Sequence, residues 1–334
     1  ELAELTAAPV FCTMPGKSAF DERHPLALGA GSGATTLPAH RWLSDSDVML
    51  ALGTSLTRSP YGQQIHPGKL LIHNTINHED INKDEGSDIA LIGDAALTIQ
   101  ALTDEVKSQT GGKGTGDRNA IEAEIAAIKA EWIEDWVPLL TSDEEPLNYY
   151  RVIHEINQNL DLENSIVTHD AGGPRDSIVP FYCATTPHSY IGWGKTTHLG
   201  FGIPLMIGAK MAEPDKFCLN LMGDGAFGMS GTDIETAARS GVAITTVLLN
   251  NSAMATYSGP LQGVIGPEAR ERYGVSTMHG DYAKIAEGMG AVGITVTKAD
   301  RMAPALHDAQ RLNLDGKTVL IDVHANVEDR RSRF

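Results

Sequence analysis

An acidic turn and a pair of asparagines follow two neighbouring apolar segments of the chain. The turn 223–225 reads Gly-Asp-Gly and follows the apolar segment 217–222. A helical stretch then leads to a second apolar segment, 244–249, which ends at the two asparagines. Two parallel strands joined by a helix bring their carboxyl ends side by side, and ligands of open α/β sheets bind at those ends. We therefore expect Asp224 and Asn251 to converge on one point.

This pair of side chains suits a metal bound together with a diphosphate. A carboxylate and an amide oxygen are suitable ligands for Mg²⁺ or Ca²⁺, with diphosphate oxygens and water at the remaining positions. Glycines let backbone N–H groups approach the phosphates. The alternative is an ordinary turn with an aspartate cap. The preceding strand, the asparagine pair and the spacing of one βαβ unit favour the binding site.

The same stretch resembles the cofactor-binding signature of thiamine diphosphate enzymes, in which Gly-Asp-Gly is followed by one βα unit and then Asn-Asn. The resemblance implies thiamine diphosphate and Mg²⁺ as cofactors. It implies Asp224 and Asn251 as side-chain ligands of the metal and the main-chain oxygen of Ala253 as a third ligand. It also implies that Gly223 contacts the cofactor, and that Gly225, Ala226 and Phe227 contact the diphosphate through their backbone N–H groups.

Two further segments extend this resemblance. Segment 197–210 is similar to the family's Gly-x-Met-Gly-Phe-Gly-Leu-Pro segment, and it places Leu199 where a bulky apolar residue props the cofactor into its bent shape. The alternative for Leu199 is one more core leucine. The loop 169–173 resembles the other diphosphate-contacting loop of the family and implies contacts from Gly172 and Gly173. An ordinary glycine turn remains open there.

The substrate side of the site is less well defined by the sequence. Met254 is predicted to contact the cofactor, and Met254 and Tyr257 either line the substrate pocket or pack in the core. Family members often carry an acid or a glutamine in this region, whereas 255–257 reads Ala-Thr-Tyr, so no proton-relay group is assigned. Three side chains before Leu199 could reach an anionic substrate, although solvated loop positions are the preferred interpretation: His188, Lys195 and His198.

Alternating strand-like and helical segments predict an α/β fold with two doubly wound domains, each built on a parallel sheet. Residues 1–106 resemble the Rossmann-like middle domain of the acetolactate-synthase-like branch of the family. Residues 107–146 form a linker and a helix, and residues 147–334 resemble the diphosphate-binding domain. The predicted strands are 9–13, 48–52, 69–73, 90–92, 165–168, 217–222, 244–249, 292–296 and 318–323.

The connecting region contains a glycine-rich linker, 111–116, followed by a helix that Asp117 caps. Apolar residues recur in this helix at helical spacing and form one stripe. We interpret the stripe as a packing surface: Ile121, Ile125, Ile128, Trp132 and Trp136.

The family's aminopyrimidine-binding domain has no counterpart in this sequence. In the family that domain carries the activating glutamate, and no glutamate here falls in a matching motif, so no catalytic residue is assigned. The chain is expected to be one subunit of a split enzyme, a cleaved product, or a sequence whose N-terminal portion is not represented. The opening 1–5, which is typical of the end of a helix, favours the last two. A chain or domain that supplies the aminopyrimidine site is the expected partner, in an oligomer that is at least dimeric.

The resemblance implies a thiamine-dependent C–C lyase or carboligase that acts on a 2-oxo acid. Segment 226–231 is also similar to oxalyl-CoA decarboxylases and 2-hydroxyacyl-CoA lyases, whereas 252–254 departs from that group. A CoA-thioester lyase is therefore the first alternative. A non-catalytic cofactor-binding or regulatory subunit is the second, and a nucleotide-binding α/β protein that shares the turn is the third. The closing arginines, 330, 331 and 333, either contact CoA phosphates or, preferably, form a solvated tail.

Bulk properties exclude several classes of function. The 334 residues carry a net charge of −17, which disfavours nucleic acid and anionic membrane surfaces as partners. The three cysteines show no metal-ligand spacing; Cys12 and Cys218 are predicted to be buried thiols, and a reducing cytoplasm is the expected location. FAD is not expected, because the acid that holds a ribose in some relatives is missing after segment 69–73.

Overall fold

The first hundred residues form two small parallel sheets rather than one. The computed structural model describes residues 1–59, 62–193, 198–254, 267–274 and 277–334. In the first sheet, β1 (Val10–Thr13) pairs with β2 (Ala27–Gly31). In the second, β3 (Val48–Ala51), β4 (Leu70–Thr75) and β5 (Ile89–Ile92) lie side by side in that order. The helices of this region are α1 (Leu2–Thr6), α2 (Leu37–Asp45) and α3 (Ala95–Thr110).

A long helix, α4 (Arg118–Leu140), connects this region to the second one. The side chain of Asp117 accepts a hydrogen bond from the Ala120 backbone N–H at 3.1 Å, which confirms the predicted cap. The apolar stripe is also confirmed as a packing surface. Trp132 and Trp136 are buried, and both rings lie 4.8 Å from the ring of Phe181.

The second region is built on a six-stranded parallel sheet. Its strand order is β10-β11-β9-β8-β6-β7. The strands are β6 (Ser165–His169), β7 (Tyr190–Ile191), β8 (Phe217–Gly223), β9 (Thr245–Asn250), β10 (Val292–Val296) and β11 (Val319–His324). The helices are α5 (Tyr149–Asn159), α6 (Gly173–Phe181), α7 (Gly202–Ala212), α8 (Asp224–Ser230), α9 (Asp233–Arg239), α10 (Pro267–Tyr273), α11 (Tyr282–Gly288) and α12 (Met302–Leu314). Both faces of the sheet are covered, so β6, β8, β9 and β11 consist almost wholly of buried residues.

The structure therefore has the predicted α/β class with parallel sheets. The strands found from sequence lie within two residues of their observed ends. Two strands were missed. Ala27–Gly31 reads Ala-Leu-Gly-Ala-Gly and lacks the β-branched residues that mark strands, and Tyr190–Ile191 is too short to form a pattern.

Buried polar contacts join the two regions. The ammonium of Lys17 lies 2.6 Å from the Glu22 carboxylate and donates to the Tyr182 carbonyl at 2.7 Å. The Ser18 hydroxyl donates to the Tyr190 carbonyl at 3.1 Å. The Lys17 side chain is fully buried and that of Glu22 is 9% exposed, so the paired ammonium, through its bond to Tyr182, fixes how the loop after β1 docks on the second region.

The C-terminal tail packs against the chain at Ser332, so the prediction of a solvated tail holds only for the exposed side chains of Arg330 and Arg333. Ser332 is 1% exposed, and its hydroxyl donates to the Thr35 carbonyl at 2.6 Å and accepts from the Trp132 indole at 3.0 Å. The Arg330 guanidinium lies 4.2 Å from the centre of the Trp136 ring. The tail thereby holds together both sheet regions and helix α4.

Burial raises the pKa of both the Cys12 and Cys218 thiols to about 11, which keeps them protonated near neutral pH. Cys218 is fully buried as predicted, whereas Cys12 is half-buried. None of the helices in the described ranges combines the length and apolar character that a bilayer crossing requires.

Candidate functional site

Three adjacent strands of the six-stranded sheet end at the same edge. β8 lies between β6 and β9, and the pairs His169–Leu221 and Gly223–Leu249 are in register near the strand ends. From β6 the chain passes to β7 on one side and then to β8 on the other. Such a reversal of strand order opens a crevice at the carboxyl edge of a sheet, which is the usual ligand position in this architecture.

Asp224 stands at the tip of β8 as a buried carboxylate with one unused oxygen. The residue is 2% exposed, and its Oδ1 accepts a hydrogen bond from the Gly225 backbone N–H at 2.8 Å. Oδ2 is buried and has no partner among the described atoms. Burial raises the pKa of Asp224, and the backbone N–H groups of Gly225, Ser252 and Ala253 oppose this shift. An unpaired buried carboxylate oxygen is costly, so this atom is suited to a cation.

The two asparagines after the next strand have different environments. Asn250 is the last residue of β9, and its Nδ2 donates to the buried Asp322 carboxylate at 3.0 Å. Asn251 lies just beyond the strand, and its Oδ1 accepts from the Ala253 backbone N–H at 2.9 Å. Ser252, which lies between Asn251 and Ala253, has a φ of 55°, a left-handed conformation that is rare for serine. This tight turn brings Ala253 back towards Asp224.

Tyr149, at the start of α5, holds the Asn251 amide and was missed by the sequence analysis. The Asn251 Nδ2 donates to the Tyr149 hydroxyl at 2.5 Å. Tyr149 is 4% exposed, and burial together with the nearby Asp224 carboxylate raises the pKa of its hydroxyl, which remains neutral. With its nitrogen bonded to Tyr149, the amide turns its oxygen towards the Ser252 turn. The sequence carried no signal for this contact because 102 positions separate the two residues.

The predicted glycines lie where other atoms approach closely. A Cβ atom on Gly225 would lie 2.2 Å from the sulfur of Met254, so the structure brings these two predicted residues together. A Cβ on Gly223 would be 3.8 Å from the ring of Pro174. The turn after β8 therefore lies close to Met254, which follows β9, and to Pro174 in the first turn of α6.

Gly172 and Gly173 form the loop after β6. Gly172 has a φ of 81°, which favours glycine, and α6 begins at Gly173. A Cβ on Gly173 would be 3.3 Å from the Tyr149 ring and 3.2 Å from the Arg331 guanidinium. The loop thus lies against the same tyrosine that holds Asn251, with an arginine beside it.

Asp170 joins the β6 tip to the segment that contains Leu199. Its Oδ1 accepts from the Gly200 backbone N–H and its Oδ2 from the Gly202 backbone N–H, both at 3.0 Å. Leu199 is half-buried and packs against the apolar cluster that includes Phe227. Asp170 is fully buried. The sequence predictions included it only as part of the loop 169–173. Its position directly after a strand, like that of Asp224, was the available signal.

The remaining predicted residues divide into core and surface positions. Ala226 and Phe227 are buried, and the Phe227 ring contacts Tyr282 edge-on at 5.3 Å, so their side chains belong to the core and only their main chains can contact a ligand. His188 and His198 are exposed, as the preferred interpretation expected. Lys195 and residues 255–257, which include Tyr257, lie outside the described residues.

A buried histidine completes the β6 edge. His169 stacks on Trp193 with ring centres 5.3 Å apart, and its Nε2 accepts from the Trp193 backbone N–H at 3.4 Å. Burial lowers the pKa of His169 to about 3, so the ring is neutral at physiological pH. Its ring and its Nε2 both contact Trp193, which lies just after β7.

The donor set at the three strand tips fits a hard cation that is held partly by its ligand. Within the described ranges, no group of three or more histidine, cysteine, aspartate or glutamate side chains could hold a metal ion. The residues that converge offer one carboxylate, one amide and main-chain oxygens. Mg²⁺ accepts such a partial set when substrate phosphates and water complete its octahedron. Thiamine diphosphate would supply such oxygens.

Comparison with known proteins identifies the domains of the chain. The model of the thiamine pyrophosphate enzyme C-terminal TPP-binding domain matches residues 170–323, and the model of the central domain of the same enzymes matches residues 1–102. A Bacillus subtilis protein named as thiamine pyrophosphate-containing is 29% identical over 329 residues, 97% of this chain and 53% of its own length. A probable acetolactate synthase large subunit of Methanococcus aeolicus is 26% identical over 330 residues, 92% of this chain and 52% of its own. An acetolactate synthase of Mycobacterium avium is 27% identical over 323 residues, 94% of this chain and 50% of its own.

The chain thus spans about half the length of these relatives. The two matched domains agree with the parallel sheets of the structure. The chain belongs to the thiamine pyrophosphate enzymes and contains their central domain and their C-terminal TPP-binding domain.

Proposed function

We propose that this chain is the diphosphate-binding part of a thiamine diphosphate- and Mg²⁺-dependent enzyme that breaks or forms a C–C bond next to the carbonyl of a 2-oxo acid. One observation carries the proposal. The buried Oδ2 of Asp224 has no partner among the described atoms, and the backbone N–H groups of Ser252 and Ala253 lie beside the same carboxylate. The acetolactate synthases among the relatives support the choice of a 2-oxo acid.

Each residue has a distinct part in this proposal. Asp224, the Asn251 amide and the Ala253 carbonyl hold Mg²⁺, and the glycine turns admit the diphosphate close to the main chain. Leu199 and Met254 supply apolar contacts to the organic part of the cofactor. When bound, thiamine diphosphate supplies the electron sink that C–C cleavage requires. The chain itself orients that group and excludes water from it.

The aminopyrimidine end of the cofactor needs a further domain. None of the glutamates in the sequence falls in the family's activating motif, and the matched domains are the central and C-terminal ones. We infer that another chain or domain brings the activating carboxylate to the site. Activity therefore belongs to the assembly and not to residues 1–334 alone.

The structure weakens the argument for a CoA-thioester substrate that rested on the closing arginines. Arg330 lies on Trp136, Arg331 donates to the Glu328 carbonyl at 2.7 Å, and Arg333 pairs with Asp176 at 2.7 Å. Contacts within the chain thus engage all three guanidinium groups. A 2-oxo acid remains the better-supported substrate class.

Calorimetric titration of the assembled protein with thiamine diphosphate and Mg²⁺ tests the proposal. We expect saturable binding that requires both components, and its loss in Asp224→Ala. Asp215→Ala is the matched control because this exposed aspartate lies at the opposite end of β8. Retention of metal-dependent binding by Asp224→Ala would refute the assignment of Asp224 to the metal site. Turnover of the intact assembly with pyruvate but not with acyl-CoA thioesters would support the substrate class, and the reverse preference would favour the lyase alternative.

A further inference from the structure

The C-terminal tail, which follows β11, brings one half-buried guanidinium to the loop after β6. Nη1 of Arg331 donates to the Glu328 carbonyl at 2.7 Å and to the Arg330 carbonyl at 2.8 Å, so main-chain atoms of the tail itself hold this side chain. Nη2 takes no part in these bonds and lies 3.2 Å from the position that a Cβ on Gly173 would occupy. Because Gly173 has no side chain, the guanidinium can lie close to the start of α6.

Arg331 differs from two other arginines near this loop, because both of those have a carboxylate partner. The Arg175 guanidinium pairs with one oxygen of Asp176 at 2.7 Å, and Arg333 pairs with the other oxygen at 2.7 Å. Within the part of the chain that the structure describes, Arg331 forms no ion pair with a carboxylate. A cation that is partly removed from water and lacks a counter-ion favours an anionic ligand.

Tyr149 connects Arg331 to the proposed metal site. A Cβ on Gly173 would lie 3.3 Å from the Tyr149 ring, and the hydroxyl of this tyrosine accepts from Asn251 Nδ2 at 2.5 Å. Burial and the Asp224 carboxylate raise the pKa of the Tyr149 hydroxyl, whereas the Arg331 guanidinium lowers it. The carboxylate and the guanidinium are therefore both within electrostatic reach of one side chain.

The charges of the proposed ligands leave a place for one more cation. A terminal phosphate has a second pKa near 6, so a diphosphate carries about three negative charges near neutral pH. Together with Asp224 this makes about four negative charges, against the two positive charges of Mg²⁺. The chain as a whole carries a net charge of −17, which adds to the repulsion of an anion. A guanidinium beside the diphosphate offsets part of this imbalance.

We propose that Arg331 is a further binding residue of the cofactor site and donates to the diphosphate beside Gly173. The inference rests on the proposed function, which places the diphosphate at the glycine turns after β6 and β8. A guanidinium presents donors in a planar fork that matches phosphate oxygens. The next residue, Ser332, bonds both Thr35 and Trp132, so a diphosphate held by Arg331 would also tighten the contact of the tail with the first region and α4.

A 2-oxo acid is a second source of an anion, and the position of Arg331 favours the diphosphate. Arg331 lies beside Gly173 and close to Tyr149, whose hydroxyl holds the proposed metal ligand Asn251. The diphosphate binds that metal, whereas a substrate reacts at the thiazolium ring, at the other end of the cofactor. The guanidinium is therefore on the metal side of the site.

Calorimetric titration of the assembled protein with Mg²⁺ and inorganic pyrophosphate tests this contact without the organic part of the cofactor. We expect Arg331→Gln to bind pyrophosphate at least about tenfold more weakly than the native chain, because a charge-assisted hydrogen bond is lost. Arg331→Lys keeps the charge and should recover part of the affinity. A lysine variant no better than the glutamine variant would count against an electrostatic contact.

Arg330→Gln is the matched control, since it removes the same charge from the adjacent residue. The Arg330 guanidinium lies on the Trp136 ring, 4.2 Å from its centre, and not beside the glycine loop. This variant should bind pyrophosphate as the native chain does. Tyr150→Phe should do so as well, because both carbonyls that hold Arg331 remain in place. Equal affinities of Arg331→Gln and Arg330→Gln would overturn the inference.

Two further titrations identify the anion that Arg331 binds. Arg331→Gln should lose affinity for thiamine diphosphate by the same factor as for pyrophosphate. A loss for thiamine diphosphate alone would show that Arg331 does not act on the diphosphate. Excess pyruvate should not displace pyrophosphate from the native assembly, and displacement would assign the guanidinium to the carboxylate of the substrate instead.

Hydrogen exchange separates a ligand contact from a purely structural role of the tail. Addition of Mg²⁺ and pyrophosphate should slow the exchange of the amides of 331–333 in the native assembly and in Arg330→Gln, but not in Arg331→Gln. The amides of 219–221, inside β8, are the internal reference and should not change. Urea unfolding would establish that the variants are folded. Equal slowing in Arg331→Gln would show that another residue links the ligand to the tail, and would overturn the inference.

These outcomes are distinct from that of the proposed function. Thiamine diphosphate binding that is the same in the native chain and in Arg331→Gln would overturn the role of Arg331 and leave the enzyme proposal standing. Arg331-dependent binding of pyrophosphate by an assembly that binds no thiamine diphosphate would do the opposite. Binding of neither ligand would overturn both.

Discussion

Replacing Tyr149 with phenylalanine is expected to weaken binding of the proposed metal and cofactor without replacing any proposed metal ligand. The substitution removes only the hydroxyl that accepts from Asn251 Nδ2 at 2.5 Å. A hydrogen-bond donor left without its partner costs about 1–3 kcal/mol. We expect the freed amide to recover part of this cost by rotating its nitrogen towards Asp224, whose Oδ2 has no partner among the described atoms. Metal binding must then break that new bond and turn the amide back.

The expected loss follows from this competition. If the recovered bond contributes about 1.4 kcal/mol to the unbound state, the affinity for Mg²⁺ with thiamine diphosphate falls about tenfold. Calorimetry of the assembled protein would measure it. Mg²⁺ titrated at saturating thiamine diphosphate isolates the metal from the organic part of the cofactor.

Tyr150→Phe is the matched control because it lies next in the same helix and also loses one hydrogen bond. The Tyr150 hydroxyl donates to the Arg330 carbonyl at 2.6 Å, in the C-terminal tail and not at the strand tips. Both variants should lose a similar free energy of unfolding, about 1 kcal/mol. Only Tyr149→Phe should lose affinity. Equal affinities in the two variants would refute the positioning role of Tyr149.

Three other substitutions test separate parts of the structure by urea unfolding. The pKa of His169 is lowered to about 3 by burial, whereas the unfolded ring takes up a proton below about pH 6.5, so the folded state loses stability on acidification. Between pH 7 and pH 5 the free energy of unfolding of His169→Gln should fall by roughly 2 kcal/mol less than that of the native chain. Gly202→Ala would place a Cβ 2.1 Å from the buried Asn220 amide oxygen and should lower the free energy of unfolding by about 1–3 kcal/mol. In the control Gly208→Ala, in the same helix, the new Cβ meets nothing within 4 Å, so this variant should be as stable as the native chain or more stable. Lys17→Met leaves the Glu22 carboxylate, which is 9% exposed, without its ion-pair partner and should lower the free energy of unfolding by about 3–5 kcal/mol. A loss below about 1 kcal/mol would show that the ion pair does not fix the docking of the two regions.

The sequence alone determined the local chemistry of this protein. Strand ends such as that of β8 follow from apolar runs that stop at glycine, and Asp224 could be assigned to a strand tip because parallel strands joined by one helix end at a common edge. The family resemblance then implied the cofactor. These features depend on residues close in the chain, so pattern and spacing are sufficient to find them.

The tertiary structure decided which distant groups complete the site. Tyr149 reaches Asn251 across 102 positions, and Asp170 holds Gly202 across 32, because β6, β8 and β9 are neighbours in the sheet. The packed position of Ser332 in the tail is likewise invisible in sequence. Periodicity reports whether a side chain will be buried, but the partner that it meets there is set by strand order and helix packing, which only the folded chain specifies.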